Sequence, residues 1–320
     1  MLKKIQSIPS GMFIVPFMLS IIQYTFWPDL FANIGGTTAA LFDGSATGFI
    51  VGILVFCSAT TIQFNKLGDI LKHQGTMLVV KIVWALILIF GFLYLFGLDG
   101  VWGISGVAFA TAIISVNPAI YSSILQDYGY KEDSAFYAIM GLLALPAIPI
   151  IIFSIYISGG LASIDFMPII SMLIPLVIGV ILGNIDPAFG DFFGGATSTI
   201  LFFLGWNLGQ GLNLFQAVQS GLPGLLLAVI FIIISIPLFF VDRGLGYEGI
   251  TGVSMITVAG MSTAVPASLA AIFPELQQYV TSATAQVLLV VLITAFLAPF
   301  LSQKVYEKYG SVGLGDTKTK

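Results

Sequence analysis

Two short stretches hold the side chains best suited to bind a small polar solute: "SVNPAIYSS" at 115–123 and "TVAGMSTAVPAS" at 257–268. The first supplies Ser115, Asn117, Tyr121, Ser122 and Ser123; the second supplies Thr257, Ser262, Thr263 and Ser268. Hydroxyl and amide oxygens of these types hydrogen-bond a polar solute or, with freed carbonyls, surround a sodium ion. The hydroxyls can also bond back to carbonyls of their own helix. A third set comprises Thr60, Thr61 and Gln63 in "CSATTIQF" and Asn207, Gln210 and Asn213 in "NLGQGLNL". Asn207 and Gln210 are three apart and share a helix face. Two roles are open for them, a hydrogen bond between helices or a contact to ligand, and Gln286 is of the same kind.

Pro118 lacks a backbone donor and disfavours helical conformation at Asn117, so a helix should break near 115–118 and restart. Pro266 is expected to break a second helix in the same way. Half-helices starting near Ala119 and Ala267 would aim their amino ends at the crossing, each equivalent to about half a positive charge. An anionic group could bind there without an arginine.

The elements that must position these residues are membrane helices. The 320 residues are 58% hydrophobic and 8% charged, with a mean hydropathy of +1.05, whereas soluble domains carry about a quarter charged residues. A bilayer core needs about 20 apolar residues per helix. Ten such runs lie at about 8–27, 45–64, 76–97, 101–127, 133–158, 167–185, 194–216, 221–241, 249–273 and 279–303. The start "MLKKIQSIPSGMFIVPFMLS" has a basic region but no small-residue cleavage site after its apolar run, so it is read as a retained helix. With ten spans, Lys3, Lys4, Lys66, Lys72, Lys131, Arg243, Lys304, Lys308, Lys318 and Lys320 all fall on one side. That side is the cytoplasmic one, so both termini are expected there, in the cytoplasmic membrane.

"PFMLSIIQYTFWPDLF" from Pro16 resembles "PLVIGVILGNIDPAFG" from Pro175, and "NPAIYSSI" lines up with "VPASLAAI". Five spans map onto five, so the second half enters the membrane from the opposite face, an inverted repeat. The expected organisation is a first repeat at 1–160, a second at 161–305 and a cytoplasmic tail at 306–320. The expected fold is all-α, with broken helices four and nine crossing at the site.

Among the remaining polar residues, His73 in "LKHQG" reads as a solvated loop residue and Cys57 as a small packing residue. Lys81, near the cytoplasmic end of span three, reads as snorkelling to the interface, with a role as substrate partner the alternative. All Asp and Glu fall in loops or at span edges, with Asp43 and Asp127 nearest the interior, so a buried carboxylate relay has no evident carrier. No His/Cys/Asp/Glu constellation lies in the spans, which argues against an enzyme or a metal site. Nothing in the composition points to nucleic acid.

"IPSGMFIVP", "HQGTMLVVKI", "IYSSILQDYGYKED", "LGNIDPAFGDFF" and the region before "VPASLAAI" resemble, in order and spacing, the 2-keto-3-deoxygluconate permease family. That family is related to the bile acid sodium symporters. The resemblance implies ten helices in a panel and a core domain, and import of 2-keto-3-deoxygluconate with protons. The family pattern has acidic residues where Ile114 and Leu143 stand and two glycines at Pro118 and Ala119, so this chain departs from it at the crossing. The expectation is a secondary transporter of a small organic anion with no cofactor, coupled to H+ or Na+, and able to form an oligomer. A sodium-coupled carrier of another monocarboxylate or a less charged solute is the nearest alternative, then a passive channel or a receptor.

Overall fold

The computed structural model describes residues 2–8, 10–64, 68, 70–129, 136–141, 143, 147–159 and 167–310. Lys66, Lys131, Lys318 and Lys320, and the expected boundary between repeats at 160/161, lie outside these residues. The described chain is helical. Its main helices are α1 (Gly11–Phe26), α2 (Gly36–Phe42), α3 (Thr47–Ala59), α4 (Thr76–Phe96), α5 (Gly106–Ile114), α6 (Pro118–Tyr128) and α7 (Ala147–Phe153). They continue with α8 (Met167–Ile185), α9 (Ala188–Gly194), α10 (Thr197–Gly209), α11 (Gly221–Gly244), α12 (Ile250–Ser254), α13 (Val265–Ile272) and α14 (Val280–Tyr309). A π-helical turn, Leu71–Gly75, leads into α4, and a 3-10 turn, Gly260–Ala264, leads into α13. The last helix runs to Tyr309, beyond the boundary expected at 305.

Four helical segments among the described residues are long and apolar enough to cross a membrane: 71–96, 106–128, 221–244 and 274–309. Two bent pairs, α2 with α3 and α9 with the body of α10, turn by 60° and 43° and would each make one further span. Shorter apolar helices occupy 11–26, 147–157, 173–185 and 260–272, at the positions of four more expected spans. In their apolar windows, 100% of the residues of 106–128 are buried, against 28% for 71–96 and 33% for 221–244. The polar broken span is therefore central and the two uninterrupted ones are flanks.

Glycine sets how closely the helices approach. A Cβ on Gly205 or Gly209 of α10 would lie 2.3 Å or 2.5 Å from the Phe13 or Phe17 carbonyl oxygen of α1. On α8, a Cβ on Gly179 or Gly183 would lie 2.5 Å or 1.9 Å from the Phe56 or Thr60 oxygen. Two small-xxx-small seams thus join α10 to α1 and α8 to α3 at backbone contact, the usual device where lipid removes any hydrophobic drive between helices.

The first break forms where Pro118 requires it. Ser115 and Asn117 are extended, at φ −67°, ψ 147° and φ −84°, ψ 104°, and Pro118 opens α6. The second break is not at Pro266. Val265, just before it, is helical at φ −60°, ψ −43°, and the proline falls in the first turn of α13, where a missing N–H costs nothing. The non-helical stretch is Thr257–Ala259, seven residues upstream of Pro266 at its near end, and the half-helix begins at Gly260 rather than Ala267.

Candidate functional site

The two non-helical stretches meet. The Ser115 hydroxyl accepts from the Ala259 amide at 3.0 Å and shares a 2.8 Å hydrogen bond with the Ser262 hydroxyl. The Asn117 amide donates to Thr257 Oγ1 at 3.1 Å, and the Val258 amide to Thr294 Oγ1 of α14 at 3.1 Å. Backbone groups released by the breaks are thus satisfied by hydroxyls of neighbouring segments, as a water-poor interior demands. Asn117 Oδ1 accepts from the Ala119 and Ile120 amides at 3.0 Å and 3.2 Å. This is an N-cap, so the amino end of α6 is closed by its own side chain and is not open to an anion.

Beside the crossing is a cavity of about 380 Å³ lined by Tyr24, Asp43, Gly44, Thr47, Asn207, Leu208, Gln210 and, from the turn, Gly260, Met261, Thr263 and Ala264, among others. Its size suits a small ligand. Asn207 Nδ2 donates to the Leu41 and Phe203 carbonyls at 3.0 Å each, while its buried Oδ1 has no partner. Gln210 Nε2 donates to Ser20 Oγ at 2.6 Å and Gln23 Oε1 at 2.8 Å. The first expected role of this pair is therefore present, linking α10 to α1 and to Leu41 at the end of α2, and both residues also line the cavity. Asp43, held by the Ser45 amide at 2.8 Å, is the one charged residue in the lining.

The expected residues divide. Ser115, Asn117, Tyr121 and Ser122 are wholly buried in or next to the crossing, and Thr263, Asn207 and Gln210 line the cavity. Ser268 is exposed and bonds back to the Ala264 carbonyl at 3.1 Å. Thr60 bonds back to Cys57 at 2.7 Å and lies in the α3–α8 seam. Neither lines the cavity. Gln286 reaches the Gly103 carbonyl at 2.9 Å, and Cys57 is buried.

Three expectations are corrected. His73 is not solvated, being 4% exposed, and its Nε2 lies 2.7 Å from Asp242 Oδ1. Asp242 is 0% exposed, so the interior does hold a carboxylate; its Oδ2 accepts from the Gly252 amide at 2.9 Å. Lys81 does not snorkel, since it is 2% exposed with its ammonium 5.1 Å from the Phe231 ring centroid.

The His73 cluster extends to the crossing. Gln74, 0% exposed, places Nε2 3.1 Å from His73 Nδ1 and 3.0 Å from Thr251 Oγ1. Tyr121 of α6 donates its hydroxyl to Gln74 Oε1 at 2.5 Å. The Tyr247 ring stacks on His73 at 3.4 Å and 8°, carried there by a loop whose Gly246 and Gly249 take φ of 93° and 92°. A Cβ on Gly252 would fall 2.4 Å from the Leu238 carbonyl, so only glycine lets α12 approach α11 closely enough to serve Asp242. One sequence signal was available for this cluster, an acid in the last turn of α11, where the helix dipole repels an anion and a partner is required.

Apolar helices enclosing a polar crossing and a small cavity define an integral membrane protein of the permease class. The family described as 2-keto-3-deoxygluconate permease matches residues 2–311, and the chain belongs to it. It is 33% identical over 321 residues to a 2-keto-3-deoxygluconate permease of Enterobacter sp. (strain 638), covering 98% of this chain and 96% of that one. It is 32% identical to one from Xanthomonas euvesicatoria pv. vesicatoria, covering 96% of each. It is also 32% identical to the 2-keto-3-deoxygluconate permease 1 of Salmonella typhimurium, covering 96% and 95%. Membership in a permease family also fits the expectation that the chain is no enzyme.

Proposed function

We propose that the chain is a secondary active carrier of 2-keto-3-deoxygluconate or a similar small sugar acid. It sits in the cytoplasmic membrane with both termini cytoplasmic and works by alternating access coupled to a proton or sodium ion. The observation that carries the reading is the pair of extended stretches, Ser115–Asn117 and Thr257–Ala259, bonded to each other beside a small polar cavity. Helix breaks of this kind are how carriers build a binding site at mid-membrane. In this reading the four long helices, the two bent pairs and the four shorter apolar helices would each be one of the ten expected spans. The α10–α1 and α8–α3 seams exchange with one another when the halves are exchanged, which supports the inverted repeat. In this reading α1, α3, α8 and α10 with their bent extensions form the panel, and the crossing belongs to the core. With α6 capped by Asn117, the acid's carboxylate is met by the Gly260–Thr263 end of the second half-helix.

A second reading has a specific observation behind it. The lining contains the Asp43 carboxylate, an unpartnered Asn207 oxygen and no basic side chain. That set favours a cation in the cavity, hence a sodium-coupled carrier of another monocarboxylate or a less charged solute.

Thermal stability of the purified protein separates the two. At about 100 times its Kd, a ligand that binds only the folded state adds about 2.7 kcal/mol. Stabilisation by 2-keto-3-deoxygluconate in sodium-free buffer supports the first reading. Stabilisation only by another acid, or by sodium with no response to 2-keto-3-deoxygluconate, supports the second, and no response to any acid or cation defeats both.

A further inference from the structure

The His73 cluster lies outside the cavity, and the carrier reading gives it no work. With Gln74 Nε2 donating to His73 Nδ1, that nitrogen is an acceptor and bears no proton. The imidazole proton is then on Nε2, donated to Asp242 Oδ1, while Gly252 N–H serves Oδ2. The pair then shares one proton, carried on Nε2. A proton added at Nδ1 gives it a second.

That proton also reverses Gln74. A protonated Nδ1 is a donor, so the amide must turn over to offer Oε1 to it, with Thr251 donating to the same oxygen. The amide nitrogen then faces Tyr121, whose oxygen accepts from it while the hydroxyl hydrogen rotates away from Gln74. Tyr121 lies one turn into α6, four residues beyond Asn117 at the crossing. The protonation state of His73 is therefore read out, through one side chain, on the half-helix that forms the site.

We propose that His73 Nδ1 is the binding site of the coupling proton and that Gln74 transmits its occupancy to Tyr121. This rests on the carrier reading above and selects the proton over sodium. Among the described residues, Tyr247 stacks on the ring and Glu248, next to it in the same loop, is buried. Arg243 is turned away, over the Tyr309 ring at 4.1 Å, and Lys72 is exposed.

His73 is the chain's single histidine, so the full-length protein labelled with 15N-histidine in lipid nanodiscs gives one imidazole to observe. The expected result is that Nδ1 passes from unprotonated to protonated between about pH 8 and pH 5. Its midpoint should move when 2-keto-3-deoxygluconate is added, because coupled ligands shift each other's binding. An imidazole that keeps one charge and tautomer throughout, or a midpoint indifferent to the acid while the acid is transported, overturns the proposal. In proteoliposomes an inward acid gradient should raise uptake by the unaltered protein. In His73→Gln the ratio of uptake with and without the gradient should fall to about one. Gln74→Leu should lose the gradient response while His73 still titrates. A full gradient response in His73→Gln, or a response to sodium and none to pH, also overturns it. If His73 titrates but the unaltered protein neither takes up nor exchanges the acid, the carrier reading fails and the proton site stands.

Discussion

The Asn117 oxygen takes the first free amides of α6 while its backbone amide goes to Thr257, so one residue closes the extended stretch and opens the half-helix. Asn117→Ala should lower unfolding stability in detergent by about 1 kcal/mol, the usual worth of an N-cap, and Asn117→Asp should recover most of it. Ser115→Ala strips the buried Ala259 amide and Ser262 hydroxyl of a partner and should cost about 1–3 kcal/mol in the same assay. Lys81→Met removes a buried amine that stands over the Phe231 ring. It should leave the ligand-free protein as stable or more stable, by on the order of 1 kcal/mol. At this scale the sequence was partly legible. A proline after a polar residue in an apolar run exposed Ser115, Asn117 and Tyr121, because the constraint is local. His73 and Asp242 were hidden because "LKHQG" and "VDRGLGYEG" have the polarity of loops. What buries them is a fold-back over Gly246, Gly249 and Gly252, written in tertiary contacts and not in local pattern.

Among the elements, glycine seams and half-helices make different demands. A side chain at Gly205 meets the Phe13 carbonyl, a backbone atom that cannot rotate away. Gly205→Val should therefore destabilise by about 1–3 kcal/mol or more, and Gly183→Val at the α3–α8 seam should do likewise. Gly52→Ala, where a Cβ meets nothing within 4 Å, should stay within about 1 kcal/mol of the parent. These seven substitutions are read by one denaturation series. The apolar runs made the helices legible, since length and hydropathy are properties of the segment itself. The second break was misplaced because it is made by hydroxyls from other segments. Thr294 and Ser115 supply acceptors to Val258 and Ala259, and no proline marks the spot. Pro266→Ala should accordingly leave ligand-induced stabilisation in place and change stability by less than about 1 kcal/mol.

For the whole molecule, the ten-span reading makes a topological prediction. The chain has one cysteine, buried Cys57; replacing it by Ala leaves a background in which a new thiol reports alone. Lys72→Cys and Gln278→Cys occupy exposed sites on opposite sides in this reading. A membrane-impermeant thiol reagent should label the first only from the cytoplasmic face and the second only from the other; same-side labelling would reject the topology. The flanking helix α11 carries a further consequence. Its 24 residues extend about 36 Å, more than the roughly 30 Å of a typical hydrocarbon core. With two-thirds of its apolar window facing outward, it must lean or thicken the surrounding lipid. Asp242 rides on the last turn of that helix, so bilayer thickness presses on its link to His73. The acyl chain length of the host lipid thus becomes a physical control on the protein, and a series of vesicles with progressively shorter chains should shift its behaviour with no change in sequence, substrate or ion.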